Sequence, residues 1–355
     1  MHLRRETGER TCFVHVGAHK TGTTAIQRFL AGNRDVLAHA GLSYPQSGRL
    51  SAQLPGHHNV AFELTGDPQF DRARGTLGDV TRELAGVQPR HACISSEVFQ
   101  YLHVDDAGLV ALRDALASAG FRPRIVLYVR AQDEYLESLY AELAKHGLLL
   151  SFADFTGTVM GHGIVRYGRG WAFRFDYTKL ADRFASVFGA DAMIVRNYDD
   201  GGCAGSLVRD FLAAVGVTDP AAADAAGAQA AYENQRLTTG GIIDRLFRNA
   251  AADLRDDRIA AAGADLVARY PREAGAPFRP LSPGERARVT ARFADDNERL
   301  ARRWPAAAGI ARRHPTVLEA ESARDARRLF EHAEALRRTF AEAAGASRSG
   351  GASGG

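Results

Sequence analysis

Four short apolar runs rich in β-branched residues punctuate the first 200 residues: "CFVHVG" (12–17), "ACISSE" (92–97), "IVLYVR" (125–130) and "MIVRNY" (193–198). Each is apolar at nearly every position rather than at alternate ones, as strands covered on both faces are, and this points to a parallel sheet. Between the runs, Ile26, Phe29, Leu30, Val36 and Leu37 recur at spacings that stack them on one helix face, as do Tyr135, Leu136, Leu139, Tyr140 and Leu143. Strand alternating with helix is the α/β class.

After "SLVRDFLAAVGV" (206–217) the alanine-rich "DPAAADAAGAQAA" reads as a linker or exposed connection, and no further strand pattern follows. The expected organisation is an α/β core over 1–217, a helical region over 218–344 packing on it, and a disordered Gly/Ser tail over 345–355. The best-marked helix start is "SPGE": Ser282 caps, Pro283 suits the first turn and Glu285 completes a capping box. No apolar stretch approaches the roughly 20 residues of a membrane span, and no apolar segment follows the arginines of "MHLRRETGER", so a cytoplasmic protein without membrane contact is expected. Cys12, Cys93 and Cys203 are far apart and lie in or beside apolar runs, which fits buried thiols rather than a disulfide or zinc framework. A net charge of +3 without a concentrated basic stripe gives no argument for nucleic acid.

The chemistry concentrates where the first run ends, in "GAHKTGTT" (17–24). A strand feeding a glycine turn and then a helix gathers unpaired backbone N–H groups and the positive end of the helix dipole around one volume, where anions bind. Of 45 cations only Lys20, Lys145 and Lys179 are lysine, leaving 42 arginines, so a lysine inside this loop is a marked choice. A compact ammonium with three rotatable donors suits a phosphate or a departing oxygen. The glycine order is inverted relative to a Walker A loop, which places its glycine immediately before the lysine. A second anion site lies at the end of the third run. There "YVRAQDEYLES" puts Arg130 at the carboxyl edge of the strand and Ser138 eight residues later, in the second turn of the next helix. Two anion sites imply a ligand with two separated phosphate-like groups.

Together these motifs resemble the sulfotransferases that use 3′-phosphoadenosine 5′-phosphosulfate (PAPS), to whose PKSGTT segment this chain is similar from Lys20 to Thr24, with His19 in place of proline. "HKTGTT" followed by "IQ" is especially similar to bacterial members. The resemblance covers about residues 12–217 and implies a P-loop-like three-layer sandwich with a central parallel sheet flanked by helices. It implies that Lys20, Thr21, Gly22, Thr23 and Thr24 contact the 5′ end of the cofactor, that Arg130 and Ser138 hold its 3′-phosphate, and that Tyr198 of "NYDD" contacts adenine. Two features depart from the family. The aromatic residue after the double threonine is Ala25 here, and the Arg-Lys-Gly loop of many cytosolic members has no counterpart.

The expected reaction moves the sulfuryl group to a hydroxyl or amine of a small-molecule or carbohydrate acceptor by in-line displacement, leaving adenosine 3′,5′-bisphosphate and requiring no metal. Lys20 would offset charge on the leaving oxygen, an interaction made mainly in the transition state. An acceptor hydroxyl also needs a proton acceptor. Glu97, ending "ACISSE", and His58 of "PGHHNVAFEL" are both candidates, although Glu97 could instead cap a helix or pair with Arg130, and His58 could fix its loop. The stretch between Lys145 and Lys179, dense in glycine, aromatics and arginine, reads as a loop-rich lid. Two rivals stand beside this reading: a magnesium-dependent kinase with a carboxylate from "ISSE", and a nucleotide-binding interaction protein without turnover.

Overall fold

The computed structural model describes residues 9–86, 89–168, 170–201, 204–228, 237–312 and 321–350. Its strands are β1 (Thr11–His15), β2 (Leu42–Ser43), β3 (His91–Ser95), β4 (Arg122–Val129), β5 (Ile164–Tyr167), β6 (Trp171–Arg174) and β7 (Met193–Asn197). Five of them form one sheet in the order β2-β3-β1-β4-β7, with every pairing parallel, so the α/β class expected from the four apolar runs and the helix-flanked parallel sheet that the resemblance implied are the observed architecture. The two-residue β2 is too short to carry a periodic signal.

The described residues divide into two compact units. The first, from 1–131, 164–233 and 293–313, contains the sheet. On one sheet face Phe13, Cys93, Val126 and Tyr128 are buried with Ile26 and Phe29 of α1 (Thr23–Gly32) and with Leu207, Val208 and Phe211 of the helix Ala204–Ala214. Alternate residues, Cys12, Val14, Ile94, Ile125, Leu127 and Val129, are equally buried on the other face, toward the helices Asp106–Ser118 and Tyr177–Phe188. That double burial is why the strands read as unbroken apolar runs. Burial pushes the Cys12 thiol up to about 12, so it packs as a small apolar group. Cys203 lies outside the described residues.

The second unit, from 132–163, 234–292 and 314–355, is helical. Tyr140, Phe152, Phe278 and Phe330 pack edge to face or stacked within it. Its buried carboxylates Asp133, Glu134 and Glu137 meet Arg279 and Arg286: Arg286 Nη1 lies 2.9 Å from Asp133 Oδ2 and Arg279 Nη1 3.0 Å from Glu137 Oε2. This network reaches across the boundary expected at 217. Carboxylates so deeply buried need cationic partners, and theirs come from 279 and 286, so residues 132–163 belong with the later helices rather than with the sheet. The predicted capping box is present, with Glu285 N–H donating to Ser282 Oγ at 3.2 Å and Ser282 N–H to Glu285 Oε2 at 2.8 Å.

Three other expectations change. The alanine-rich linker is in part a helix, Pro220–Ala228, because alanine is the strongest helix former and Ala222 and Ala226, one turn apart, are buried in the sheet-face core. The stretch read as a loop-rich lid holds the helix Phe152–His162 and the antiparallel hairpin β5–β6. The last helix runs from Glu321 to Gly350, into the residues assigned to the tail, while 351–355 lie outside the described residues.

Candidate functional site

The sheet order places β1 between β3 and β4, and the chain leaves β1 toward β3 but leaves β4 toward β7. Neighbouring strands whose connections part in this way open a crevice at their carboxyl ends, where ligands of open α/β sheets bind. The loop after β1 rises there. Val16 N–H donates to Val126 O at 2.8 Å and Ala18 N–H to Tyr128 O at 3.2 Å, so the loop begins as a continuation of the ladder. It then turns sharply through Lys20 (φ 68°) and Gly22 (φ 74°), both in the left-handed region, with the fully buried Thr21 between them donating its hydroxyl to Ala18 O at 2.5 Å. A non-glycine residue held at positive φ costs free energy and recurs at ligand clamps. Gly22 is the N-cap of α1 and has no side chain with which to cap that first turn. A Cβ at Gly22 would also fall 2.4 Å from Leu207 Cδ2 and 3.0 Å from Tyr198 Cε2, so glycine is required for space as well as for conformation.

One flank of the loop is cationic and aromatic. Arg130, directly after β4, donates from Nη1 to the Lys20 carbonyl at 3.2 Å. Its guanidinium carbon lies 5.4 Å from the Tyr198 ring centre, and its Nε lies 3.9 Å from Asp199 Oδ1. Its backbone is pinned as well, by Tyr177 Oη donating to the Arg130 carbonyl at 2.7 Å and by Ala131 N–H donating to Asp199 Oδ2 at 3.0 Å. Lys20, Arg130 and Tyr198, chosen from separate stretches of sequence, thus share one rim.

The other flank is a carboxylate among imidazoles. The 3₁₀ helix Glu97–Val104 starts where β3 ends, with Ser96 Oγ accepting from Val98 N–H at 3.1 Å. Its Gln100 Oε1 accepts the backbone N–H of His19 at 3.2 Å, which fastens this helix to the loop. Glu97 Oε2 accepts from Gln27 Nε2 at 3.0 Å and lies 3.9 Å from His58 Nδ1, while that nitrogen is 2.8 Å from Ser96 Oγ. The alternatives considered for Glu97 are therefore not realised: Ser96 is the cap, and the partners of Glu97 are Gln27 and His58 rather than Arg130. Burial raises the Glu97 carboxyl, but His58, then His19, then its own backbone N–H and Gln27 outweigh it and bring it down to about 2. His15 and His57 lie behind this flank, and burial drives His15 down to about 4 and His57 to about 3. Both pack as neutral rings, with His15 Nδ1 2.8 Å from Ser95 Oγ.

Of the residues singled out in the sequence, Lys20, Thr21, Gly22, Thr23, Thr24, Arg130 and Tyr198 gather at the loop and its cationic rim, and Glu97 and His58 meet on the opposite flank. Ser138 lies in the helix Gln132–Ala144 of the second unit. Gln27, Ser96 and Gln100 were not anticipated. Gln27 left one trace, a polar residue beside Ile26, Phe29 and Leu30 in a helix whose buried residues, Thr23 apart, are otherwise apolar.

No protein-family model and no curated protein matches this sequence. Among solved structures, a sulfotransferase from Alicyclobacillus acidocaldarius is similar over 86% of this chain and 98% of its own, at 18% identity and a TM-score of 0.45. No helix among the described residues is long and apolar enough to cross a membrane.

Proposed function

We propose that this chain is a PAPS-dependent sulfotransferase acting on a hydroxyl or amine of a small-molecule or carbohydrate acceptor. The observation that carries the reading is the contact of Arg130 with the Lys20 carbonyl at the point where β1 and β4 part. It sets the Arg130 guanidinium against the backbone of the Lys20 turn, beside the N-terminus of α1 and the ring of Tyr198. That set fits a nucleotide bearing two phosphate-like groups: loop N–H groups, Lys20 and the threonine hydroxyls for the 5′ end, Arg130 for the 3′-phosphate, and Tyr198 for the base. The assignment of Ser138 to the 3′-phosphate rests on the sequence resemblance alone.

The bound donor supplies a sulfuryl group on a phosphate leaving group, and the protein supplies placement and charge. The Lys20 ammonium offsets negative charge as it gathers on the leaving oxygen, an interaction stronger in the transition state than in the ground state. Glu97 takes the acceptor proton. Its side chain is 22% exposed against 8% for His58, whose Nδ1 is already engaged by Ser96. A carboxylate held near 2 is a weak base but is ionised at every working pH. It suffices because the acceptor hydroxyl grows far more acidic as its oxygen bonds to sulfur. His58 then serves as the charge partner that keeps Glu97 ionised.

Two measurements test the reading. Adenosine 3′,5′-bisphosphate should raise the melting temperature in the absence of metal, as a ligand binding only the folded state must. Stabilisation by ATP with magnesium alone would point to a kinase. Untargeted mass spectrometry of cell extract incubated with protein and PAPS should reveal a product carrying an added sulfonate. Cofactor binding with no such product from any extract would leave a nucleotide-binding protein without turnover.

A further inference from the structure

We propose that Gln27 is a positioning residue, whose side-chain amide holds the Glu97 carboxylate at its place beside the loop and ties it to α1, the helix that the loop's threonines begin. The catalytic part of this inference rests on the reading of Glu97 as proton acceptor, whereas the tie itself does not.

Gln27 is one turn into α1 and 2% exposed, on the face that otherwise buries Ala25, Ile26, Phe29 and Leu30. An amide in such a place costs stability unless it is hydrogen-bonded, and an apolar side chain would be the cheaper occupant. Its bond is to Glu97 Oε2 at 3.0 Å, across 70 positions of sequence. A hydrogen bond to a charged acceptor is among the stronger ones and fixes direction as well as distance.

The surroundings are built to let this group close. A Cβ at Gly56 would fall 2.8 Å from Gln27 Cδ and Nε2 and 2.7 Å from His58 Nε2, so only glycine there lets the amide and the imidazole reach the carboxylate together. Ser96 holds His58 at Nδ1, and Gln100 holds the loop at the His19 N–H. Glu97 is thus set by contacts from α1, from the helix His58–Thr65 and from its own 3₁₀ helix. The ionisable groups that act on it include His58, His19, His15 and Tyr44. Among its side-chain partners, Gln27 is the amide, and it orients the carboxylate without adding charge. Because α1 starts at Gly22, any adjustment of the loop on binding a ligand is delivered to Glu97 through the same short helix.

The test is Gln27→Met, which keeps length and apolar volume but removes the donor, followed by ¹³C NMR of protein labelled at glutamate carboxyls. The Glu97 resonance is assigned by its loss in Glu97→Gln. The Glu97 midpoint should rise from about 2 in the variant. Turnover of the acceptor found by mass spectrometry should fall about ten-fold at saturating donor, the scale of one lost hydrogen bond to a charged group. Affinity for adenosine 3′,5′-bisphosphate, read by calorimetry, should stay within a factor of two or so, as expected for an interaction that does not touch the ligand. A Glu97 midpoint identical to that of the parent would overturn the proposal, whereas a raised midpoint with unchanged turnover would keep the tie and overturn its catalytic part. Should the methionine variant fail to fold, Gln27→Glu answers the same question by placing a second carboxylate at the Glu97 oxygen. One of the pair must then hold a proton well above pH 4, as crowded carboxylates do, and two ordinary, independent titrations would refute the contact. The NMR titration needs neither donor nor acceptor, so failure of adenosine 3′,5′-bisphosphate to bind would count against the sulfotransferase reading and leave the Gln27 result standing.

Discussion

The two flanks of the loop after β1 are built on opposite principles. On the Arg130 side, positive charge is held by backbone: a guanidinium bonded to a carbonyl, its own carbonyl capped by Tyr177, and its neighbour's N–H fixed by Asp199. On the Glu97 side, negative charge is held chiefly by side chains, His58, His19 and Gln27, with its own backbone N–H added. Backbone anchoring gives a rigid receptor for a ligand of fixed charge. Side-chain anchoring gives a group that can exchange a proton without disturbing the sheet. The difference predicts that binding and chemistry separate between the flanks, with Lys20 in the turn between them.

The largest effect should come from Lys20→Ala, with turnover down about a thousand-fold, as for loss of a preorganised charge in a transition state, and adenosine 3′,5′-bisphosphate affinity changed far less. Equal losses in the two would erase the distinction between the turn and its rim. Glu97→Gln should lower the single-turnover rate about a hundred-fold, the lower end of general-base contributions, leaving product binding intact. If His58→Asn costs more than Glu97→Gln, the roles of the two residues are exchanged. Arg130→Ala should weaken adenosine 3′,5′-bisphosphate binding by about ten- to a hundred-fold, the range for one or two charge-assisted hydrogen bonds, while the rate at saturation is largely kept.

A smaller, global effect should follow pH. His15 and His57, ordinarily protonated near 6.5 in the unfolded chain, are held neutral down to about 4 and about 3 in the fold. The unfolded state therefore binds more protons as pH falls from 6.5, and stability, complete above that pH, should decline steadily toward pH 4 in urea titrations. The contribution of Glu97 has the carboxylate form, present above its unfolded value near 4.3 and lost only as pH falls toward 2. A parent protein equally stable at pH 7 and pH 5 would contradict the burial of the two imidazoles. Smallest of all, Tyr198→Leu should weaken adenosine 3′,5′-bisphosphate binding by a few-fold, the value of one ring against a base and a guanidinium.

The cationic flank was legible in the sequence and the other was only half so, for a physical reason. Lys20 to Thr24 act through a local device, a strand running through a turn into a helix, and Arg130 and Tyr198 lie at strand ends whose apolar runs announce them. The partners of Glu97 come from residues 27 and 58, and no periodicity records a contact across 70 positions. The second unit was hidden in the same way, since its ion pairs join 133–137 to 279 and 286. The helix Pro220–Ala228 was misread because alanine serves equally in exposed connections and in close packing, and burial alone decides between them.

The left-handed backbone at Lys20 makes one residue answer to two constraints, the charge on its tip and the twist at its base. Replacement by alanine deletes the charge and leaves the twist as costly as before, because the Cβ of alanine resists that conformation as the Cβ of lysine does. Asparagine, which tolerates that region, would leave the turn undisturbed while deleting the ammonium, and glycine would relax the turn as it did so. A directed search for altered chemistry at this position therefore starts from a narrow alphabet, in which conformational tolerance screens candidates before reactivity is ever tried.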